Sequence, residues 1–176
     1  AGATFSESGE GSVTSSGRDF TLDRFQLEAI EHLDAGRSVL VAAPTGSGKT
    51  VVAEHAIDRA LSERRRAFYT APIKALSNQK YRDLSERIGS SRVGLLTGDN
   101  AINADADIVV MTTEVLRNML YEGRALDDLA FVIMDEVHYL EDTFRGPVWE
   151  EVMLHLPADA KLVCLSATVS NTDELA

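Results

Sequence analysis

Glycine, lysine and hydroxyl residues stand together in the segment APTGSGKT at residues 43–50. Gly46 and Gly48 allow the backbone to curl so that successive N–H groups point inward and can bind phosphate oxygens. The strict pattern begins with glycine, whereas Ala43 stands there, which is a mild departure because the other glycines carry the sharp turn. The segment predicts a phosphate-binding loop in which Lys49 reaches the β- and γ-phosphates and Thr50 holds Mg²⁺. Its residues are Pro44, Thr45, Gly46, Ser47, Gly48, Lys49 and Thr50.

Two adjacent carboxylates follow an apolar run in the segment AFVIMDEVH at residues 130–138. A buried strand of a parallel sheet delivers such groups to the edge where ligands bind. Asp135 is suited to be a second anchor for Mg²⁺, and Glu136 is suited to orient and deprotonate an attacking water. The competing interpretation is a turn or helix cap, and His138 taken alone is typical of a hydrogen-bonded structural histidine. Together with the loop at 43–50, the pair predicts nucleotide hydrolysis.

The elements that must position these groups are short apolar runs that alternate with longer amphipathic stretches. The run SVLVAA leads directly into the loop, and VVAEHAIDRAL follows it with helical spacing. Apolar runs of this kind are buried on both faces, which predicts an α/β fold with three layers and a mostly parallel central β-sheet flanked by helices. The predicted strands are 38–43, 66–71, 92–97, 107–112, 130–135 and 161–168, and the predicted helices between them are 49–62, 73–88, 113–121 and 146–155.

The amino-terminal part of the chain divides into a tail and a leading helix. Residues 1–17 are rich in Ser and Gly and nearly free of large apolar groups, so we expect a flexible tail, either native or added. The segment DRFQLEAIEHLDAG then offers Asp23 as an N-cap, Gln26 three positions later and Gly36 as a stop, which predicts a helix. We therefore expect one folded domain at 18–176.

Charge is distributed unevenly along the 176 residues. Seventeen Lys and Arg against 28 Asp and Glu give a net charge of -11, which opposes nucleic-acid binding because phosphate binding relies on cationic surface. Residues 59–92 reverse the balance with nine basic and three acidic residues. The sequence ERRR at 63–66 is interpreted as a solvated helix end, with a contribution to nucleic-acid binding as the alternative.

Cysteine usage and hydropathy indicate a reducing, cytoplasmic protein. Cys164, the one cysteine, lies in the apolar run KLVCLSAT and is interpreted as a small core residue, so neither an internal disulfide nor a cysteine-based zinc site is expected. The first residues do not show the succession of charged head, apolar stretch and cleavage site expected of a secretory leader, and no run approaches the roughly 20 apolar residues of a membrane span. We therefore expect neither secretion nor membrane insertion.

These residues resemble the helicases of superfamily 2, and specifically the superkiller-type DEVH-box group that includes the HelY-type enzymes of actinobacteria. The resemblance extends from about Phe20 to the last residues and follows the order of the family's motifs. It rests on APTGSGKT as motif I, TAPIKALSNQKYRDL as motif Ia, GLLTGD as an RNA-contact motif, TTEVLRNMLY as motif Ib, DEVH as motif II, RGPVWEEV as a group-typical helix and SAT as motif III. It implies a RecA-like P-loop domain that serves as the first motor domain of an ATP-dependent RNA helicase.

The resemblance also implies roles for individual residues, with ATP and Mg²⁺ as cofactors. Phe20 would stack on the adenine and Gln26 would read its edge, although the sequence by itself indicates a helix cap for Gln26. The resemblance gives Lys49, Asp135, Glu136 and His138 as the catalytic set. Ser166, Ala167 and Thr168, with the His138 ring, resemble the relay between hydrolysis and domain movement. The residues expected to touch the backbone of a single RNA strand are Pro72, Lys74, Ala75, Thr97, Gly98, Thr112, Thr113 and Glu114.

Members of this family need a second RecA-like domain that supplies arginine fingers and grips the same strand. Because an arginine finger is worth on the order of a thousandfold in turnover, we expect these residues alone to bind ATP weakly, hydrolyse it poorly and not unwind. The expected partners are single-stranded RNA, the second motor domain and RNA-degradation factors, with no membrane. Two alternatives stay open: a DNA helicase of the same superfamily, because the motifs grasp only the backbone, and a non-catalytic nucleotide-dependent scaffold.

Overall fold

A computed structural model of the chain describes residues 21–123, 126–142 and 146–168. Helices separate most of the longer strands along this part of the chain, as the apolar runs predict. The helices are α1 Arg24–Asp34, α2 Thr50–Ser62, α3 Lys74–Ile88, α4 Thr113–Tyr121 and α5 Val148–His155. The strands are β1 Val39–Ala43, β2 Arg66–Ala71, β3 Val93–Leu96, β4 Ala101–Ile102, β5 Ile108–Thr112, β6 Leu129–Met134, β7 Glu141–Asp142, β8 Gly146–Pro147 and β9 Lys161–Ala167.

A central sheet contains seven of these strands in the order β1-β9-β6-β2-β5-β3-β4. Its first six strands run parallel, and β4 pairs antiparallel with β3 at one edge. The predicted α/β class with a mostly parallel sheet is therefore confirmed. All six parallel strands end on the same side, which we call the carboxyl edge, and begin on the opposite amino edge. Ligands bind at the carboxyl edge of such sheets.

Helices cover both faces of the sheet, and the alternation of strand side chains divides the core between them. On one face, Leu33 of α1, Ile57 of α2 and Leu84 of α3 pack against strand residues that include Tyr69. On the other face, Leu116 of α4 and Val152 of α5 pack against strand residues. Neighbouring residues of one strand, such as Phe68 and Tyr69, belong to different cores. Burial on both faces is the reason that the strands read as continuous apolar runs.

The ends of two helices show how local sequence sets the boundaries. Asp23 lies just before α1 in extended backbone, and Gly36 follows the helix with a φ of 74°, as predicted for a cap and a stop. Helix α5 begins at Val148 rather than at 146, because Gly146–Pro147 pairs with Glu141–Asp142 as a short antiparallel ladder. The predicted tail at 1–17 lies outside the described residues. No helix of the described part is long and apolar enough to span a bilayer.

Candidate functional site

The loop between β1 and α2 has the geometry of a phosphate cradle. Gly46 and Gly48 adopt φ values of 81° and 86°, in the left-handed region that favours glycine. A Cβ atom added at Gly46 would meet no atom within 4 Å, whereas one at Gly48 would lie 2.5 Å from Nε2 of Gln26. Open space therefore lies beside the backbone at Gly46, and the backbone at Gly48 is packed against α1. Thr50 follows as the first residue of α2, so the positive end of this helix faces the loop.

Lys49 lies across the base of this loop. Its ammonium group donates to the carbonyl oxygen of Ala43 at 2.5 Å and to that of Pro44 at 3.0 Å. The cation is thus held at the carboxyl end of β1 by groups that carry only partial charge. The hydroxyl oxygen of Ser47 is buried and has no hydrogen-bond partner among the described residues. A cation beside an open turn and an unpaired hydroxyl fit a polyanion with bound Mg²⁺.

Gln26 connects α1 to the loop, and its side chain is almost fully buried. Its Oε1 accepts from the backbone N–H of Asp23 at 2.7 Å, which confirms the capping role that the sequence indicates. Its Nε2 donates to the carbonyl of Gly48 at 2.8 Å. Each end of the amide retains capacity for one more bond, so the reading of adenine by Gln26 stays a prediction. Phe20, the predicted stacking residue, lies outside the described residues.

Asp135 and Glu136 follow β6 at the carboxyl edge. The backbone N–H of Asp135 bonds to the carbonyl of Thr70 in the neighbouring strand β2 at 2.9 Å, which anchors the pair to the sheet. Glu136 has a φ of 55°, unusual for a residue other than glycine. Such backbone strain is often found at functional sites. Strand β9 lies between β6 and β1 in the sheet. Two strand spacings put β6 and β1 roughly 10 Å apart. The acidic pair and the phosphate cradle therefore share one end of the sheet.

His138 joins the acidic pair to the end of β9. Its Nε2 lies 3.1 Å from Oε2 of Glu136, and its Nδ1 accepts from the backbone N–H of Ala167 at 3.1 Å. Because Nδ1 is an acceptor here, the arrangement selects the tautomer that carries its proton on Nε2. The N–H of Thr168 in turn donates to the carbonyl of Ala43. DEVH, SAT and the start of the phosphate loop thus form one connected network, in which Ser166 is half-buried and Thr168 exposed.

The residues predicted to contact nucleic acid occupy the other half of the carboxyl edge. They lie at or just after the carboxyl ends of strands β2, β5 and β3, which are neighbours in the sheet. Their exposure differs: Thr97 and Thr113 are 8% and 3% exposed, and the Thr112 hydroxyl accepts from Val115 N–H as the N-cap of α4. Pro72 and Thr112 are half-buried, and the exposed members are Lys74, Ala75, Gly98 and Glu114. The structure brings these segments together but places two of the threonine side chains away from solvent.

Lys74 and Asp99 form an ion pair across this half of the edge. Asp99 also accepts from the Thr97 hydroxyl at 3.2 Å, which orients its carboxylate within the turn. The hydrogen bond from Lys74 is the main reason that the pKa of Asp99 lies below its ordinary value. The predicted phosphate-binding lysine therefore already has a carboxylate partner within the domain.

The basic segment 59–92 serves mainly the opposite edge of the sheet. Arg65 donates to the carbonyl of Leu129 at 2.6 Å and Arg66 to that of Ala104 at 2.7 Å, so both bond to backbone at the amino edge. The interpretation of ERRR as a solvated helix end is correct for Glu63, which is the C-cap of α2. It is wrong for Arg65 and Arg66, which are half-buried rather than solvated. Ion pairs at the same edge join Arg59 to Asp34 and Glu63, Arg87 to Asp58 and Arg92 to Asp107.

Two further residues complete the site and its surroundings. Tyr69 of β2 donates its hydroxyl to Oδ2 of Asp135 at 2.5 Å, a contact that no sequence motif indicated. Burial, followed by the charge of Asp135, raises the pKa of Tyr69 well above its ordinary value. An aromatic residue in a core strand gives no sequence signal that distinguishes a ligand-positioning hydroxyl from a packing one.

Cys164 is 2% exposed and belongs to the core, as predicted. Burial raises the pKa of its thiol to about 12.

Comparisons with known proteins place this geometry in a family. The family model described as DEAD/DEAH box helicase matches residues 23–175. The chain is 60% identical over 156 residues to the probable helicase HelY of Mycobacterium leprae, covering 88% of the chain and 17% of that protein. It is 52% identical over 158 residues to the human exosome RNA helicase MTR4, covering 89% and 15%. The crystal structure of the Pyrococcus furiosus Hef helicase domain matches with a TM-score of 0.67 at 22% identity, covering 85% and 34% of the two chains, which shows the RecA-like fold.

Proposed function

Because the chain belongs to the DEAD/DEAH box helicase family and to its superkiller-type group, we propose that it is the ATP-binding first motor domain of an ATP-dependent RNA helicase. The observation that carries the proposal is the network in which His138 joins Glu136 to Ala167 beside the phosphate loop. A binding module that only recognises a nucleotide has no need to connect its acidic pair to the neighbouring strand end.

Each described functional group at the ends of β1, β6 and β9 has a proposed role in nucleotide hydrolysis. The amides of residues 46–50 and the Lys49 ammonium would bind the phosphates, and Thr50 and Asp135 would hold Mg²⁺. When bound, Mg²⁺ neutralises charge on the β- and γ-phosphates. Glu136 orients the attacking water and accepts its proton. His138 positions Glu136 through its Nε2, and its Nδ1 links this pair to Ala167 at the end of β9.

The other half of the carboxyl edge is proposed to bind the backbone of single-stranded RNA. Turns after β2 and β3 and the start of α4 present backbone amides, which bind phosphate without reading sequence. Lys74 adds an exposed cation to this surface. The same contacts suit DNA, so a DNA helicase of the same superfamily is the second candidate. Stimulation of hydrolysis by single-stranded RNA and by DNA of the same sequence, measured in the longer protein, decides between them.

The whole activity is proposed to belong to a longer protein. The chain spans 17% and 15% of the length of the two curated relatives named above. We propose that a second RecA-like domain completes the ATP site with arginine fingers, that RNA-degradation factors are partners and that the protein is cytoplasmic. The chain by itself should then bind Mg·ATP weakly, hydrolyse it slowly and not separate strands.

Replacement of Lys49 tests the nucleotide site directly. Lys49→Ala should lower the affinity of the chain for Mg²⁺ and a fluorescent ATP analogue by roughly ten- to hundredfold, because the phosphates lose a charge-assisted donor. Lys161→Ala is the matched control, since Lys161 begins β9 at the amino edge and donates to the Ala158 carbonyl. Equal affinities for the two variants would remove the phosphate loop from the proposal. Absence of hydrolysis by the longer protein under saturating RNA would favour the non-catalytic scaffold instead.

A further inference from the structure

Tyr69 has a contact that core packing alone does not require. The residue lies in β2 with 1% of its surface exposed, and its ring belongs to the core between the sheet and helices α1 to α3. Its hydroxyl reaches the carboxyl edge and donates to Oδ2 of Asp135 at 2.5 Å. A buried phenol needs an acceptor, and a carboxylate is a stronger acceptor than the backbone carbonyls available along a strand.

The contact fixes the orientation of the Asp135 carboxylate. Its Oδ1 accepts from the backbone N–H of Glu136 at 2.9 Å while its Oδ2 accepts from Tyr69. Two donors that approach different oxygens prevent rotation about the terminal side-chain torsion, which is otherwise broad. Each oxygen retains lone pairs for a further ligand. The carboxylate is therefore held in one orientation before any ligand arrives.

Neighbouring elements immobilise the Tyr69 ring itself. Backbone pairing places Tyr69 opposite Ile133 in β6 and opposite Val110 in β5, so the strand cannot shift relative to Asp135. The Lys80 ammonium of α3 lies 5.2 Å from the ring centroid, a cation–π contact. The hydroxyl is therefore presented by a side chain that is confined on every side, as a positioning group must be.

We propose that Tyr69 is a positioning residue that holds Asp135 in the orientation needed to bind Mg²⁺ with the nucleotide. The inference rests on the proposed function, because it takes Asp135 as the metal carboxylate. Groups that orient a metal ligand typically change metal affinity by 10- to 100-fold when removed. A hydroxyl that only satisfied its own burial would affect stability but not the dependence of nucleotide binding on Mg²⁺.

The test is the Mg²⁺ dependence of nucleotide binding by the chain. In Tyr69→Phe, the Mg²⁺ concentration for half-maximal binding of the fluorescent ATP analogue should rise on the order of tenfold, whereas binding without Mg²⁺ should be unchanged. Tyr81→Phe is the matched control, because Tyr81 of α3 packs against the same core and has no hydrogen bond to Asp135 within the described residues. An unchanged Mg²⁺ requirement in a folded Tyr69→Phe chain overturns the inference.

Asp135→Asn separates this inference from the proposed function. If Asp135→Asn leaves the Mg²⁺ dependence unchanged, the assignment of Asp135 fails and the inference fails with it. If Asp135→Asn raises the Mg²⁺ requirement and Tyr69→Phe does not, only the inference fails. Because Tyr69 acts through Asp135, adding Tyr69→Phe to Asp135→Asn should cause little further change, and fully additive effects would contradict the proposal.

A second measurement keeps the Tyr69 hydroxyl in place. In the chain labelled with 3-fluorotyrosine, the fluorine resonance of Tyr69 should shift when Mg²⁺ is added to the nucleotide-bound chain, because Asp135 then shares its charge with the metal. The signal is assigned by replacing the other three of the four tyrosines one at a time. A Tyr69 resonance that does not respond to Mg²⁺ would be evidence against the contact having a role in metal binding.

Discussion

The carboxyl edge of the sheet has two halves that differ in how their polar groups are held. In the half formed by β1, β9 and β6, functional side chains bond to one another and to the loops: Lys49 to the start of its own loop, and His138 to Glu136 and Ala167. In the half formed by β2, β5 and β3, Thr113 is buried, Thr112 caps a helix, and the ion pair of Lys74 with Asp99 is formed by exposed side chains. We call these the nucleotide half and the strand half.

The difference matches two kinds of chemistry. Hydrolysis needs side chains held at fixed positions, because a general base and a metal ligand act only at short, directed distances. Binding a nucleic-acid backbone needs a row of amides and a modest positive charge, which turns and helix starts supply without precise side-chain geometry. The nucleotide half should therefore be sensitive to single-atom changes, and the strand half should respond to charge and little else.

Among the substitutions that test this difference between the two halves, Glu136→Gln is expected to have the largest effect, which is on hydrolysis. The amide keeps the shape and the contact to His138 but cannot accept a proton, so hydrolysis by the longer protein should fall by roughly a hundred- to ten-thousandfold. Binding of Mg²⁺ and ATP analogue to the chain should be kept. Single-turnover hydrolysis and equilibrium binding measure the two quantities separately.

The control for this variant is the same substitution on α3. Glu86→Gln changes an exposed carboxylate that lies away from the carboxyl edge network and should leave turnover unchanged. Normal hydrolysis in Glu136→Gln would remove Glu136 from the role of base. It would also show that the ordered side chains of the nucleotide half are structural rather than catalytic.

His138→Ala is expected to have an intermediate effect. Loss of the ring disconnects Glu136 from Ala167, so stimulation of hydrolysis by RNA should decrease by roughly two- to thirtyfold, the range for a coupling residue. Affinity of the chain for nucleotide should change little. His155→Ala is the matched control, because within the described residues His155, the last residue of α5, hydrogen-bonds to the Glu151 carbonyl of its own helix and contacts the Tyr121 ring. Equal stimulation in both variants would contradict a coupling role.

The alternation of apolar runs and amphipathic stretches was sufficient to predict the six parallel strands and the five helices. The helices have a strong apolar period and the strands are continuous apolar runs, so tertiary context changes only the boundaries. The phosphate loop was predictable for a related reason, because Gly46 and Gly48 must adopt φ values that other residues avoid. The short ladders β3-β4 and β7-β8 were not predicted, since strands of two residues have no period to detect.

The contacts that hold the site could not be predicted, because they depend on which strands become neighbours. Tyr69 precedes Asp135 by 66 residues, and only the adjacency of β2 and β6 brings them together. The arginines at 65 and 66 show the same limit. Their charge density suggested solvent or nucleic acid, but their partners are carbonyls at the amino edge, distant in sequence. Local sequence encodes these elements well and their cross-strand partners poorly.

Lys74 and Asp99 test the strand half, where the expected effects are smallest. Lys74→Ala removes one exposed cation, so RNA affinity of the chain should fall at most about fivefold and the salt dependence should decrease by about one phosphate contact. Asp99→Asn should do the reverse and tighten binding about two- to fivefold, because Lys74 no longer has a competing carboxylate. Titration with single-stranded RNA at several salt concentrations measures both effects.

The sign of the pH dependence follows from the same pair. Because Lys74 holds the pKa of Asp99 below its ordinary value of 3.8, the ion pair is intact at neutral pH and is lost only as the pH falls through that lowered pKa. The tightening in Asp99→Asn should therefore be present throughout the neutral range. It should disappear when Lys74→Ala is added, because the released cation is then absent. If Asp99→Asn instead weakens binding, the carboxylate orients Lys74 for phosphate rather than competing with it, and the strand half depends on side-chain geometry as much as the nucleotide half does.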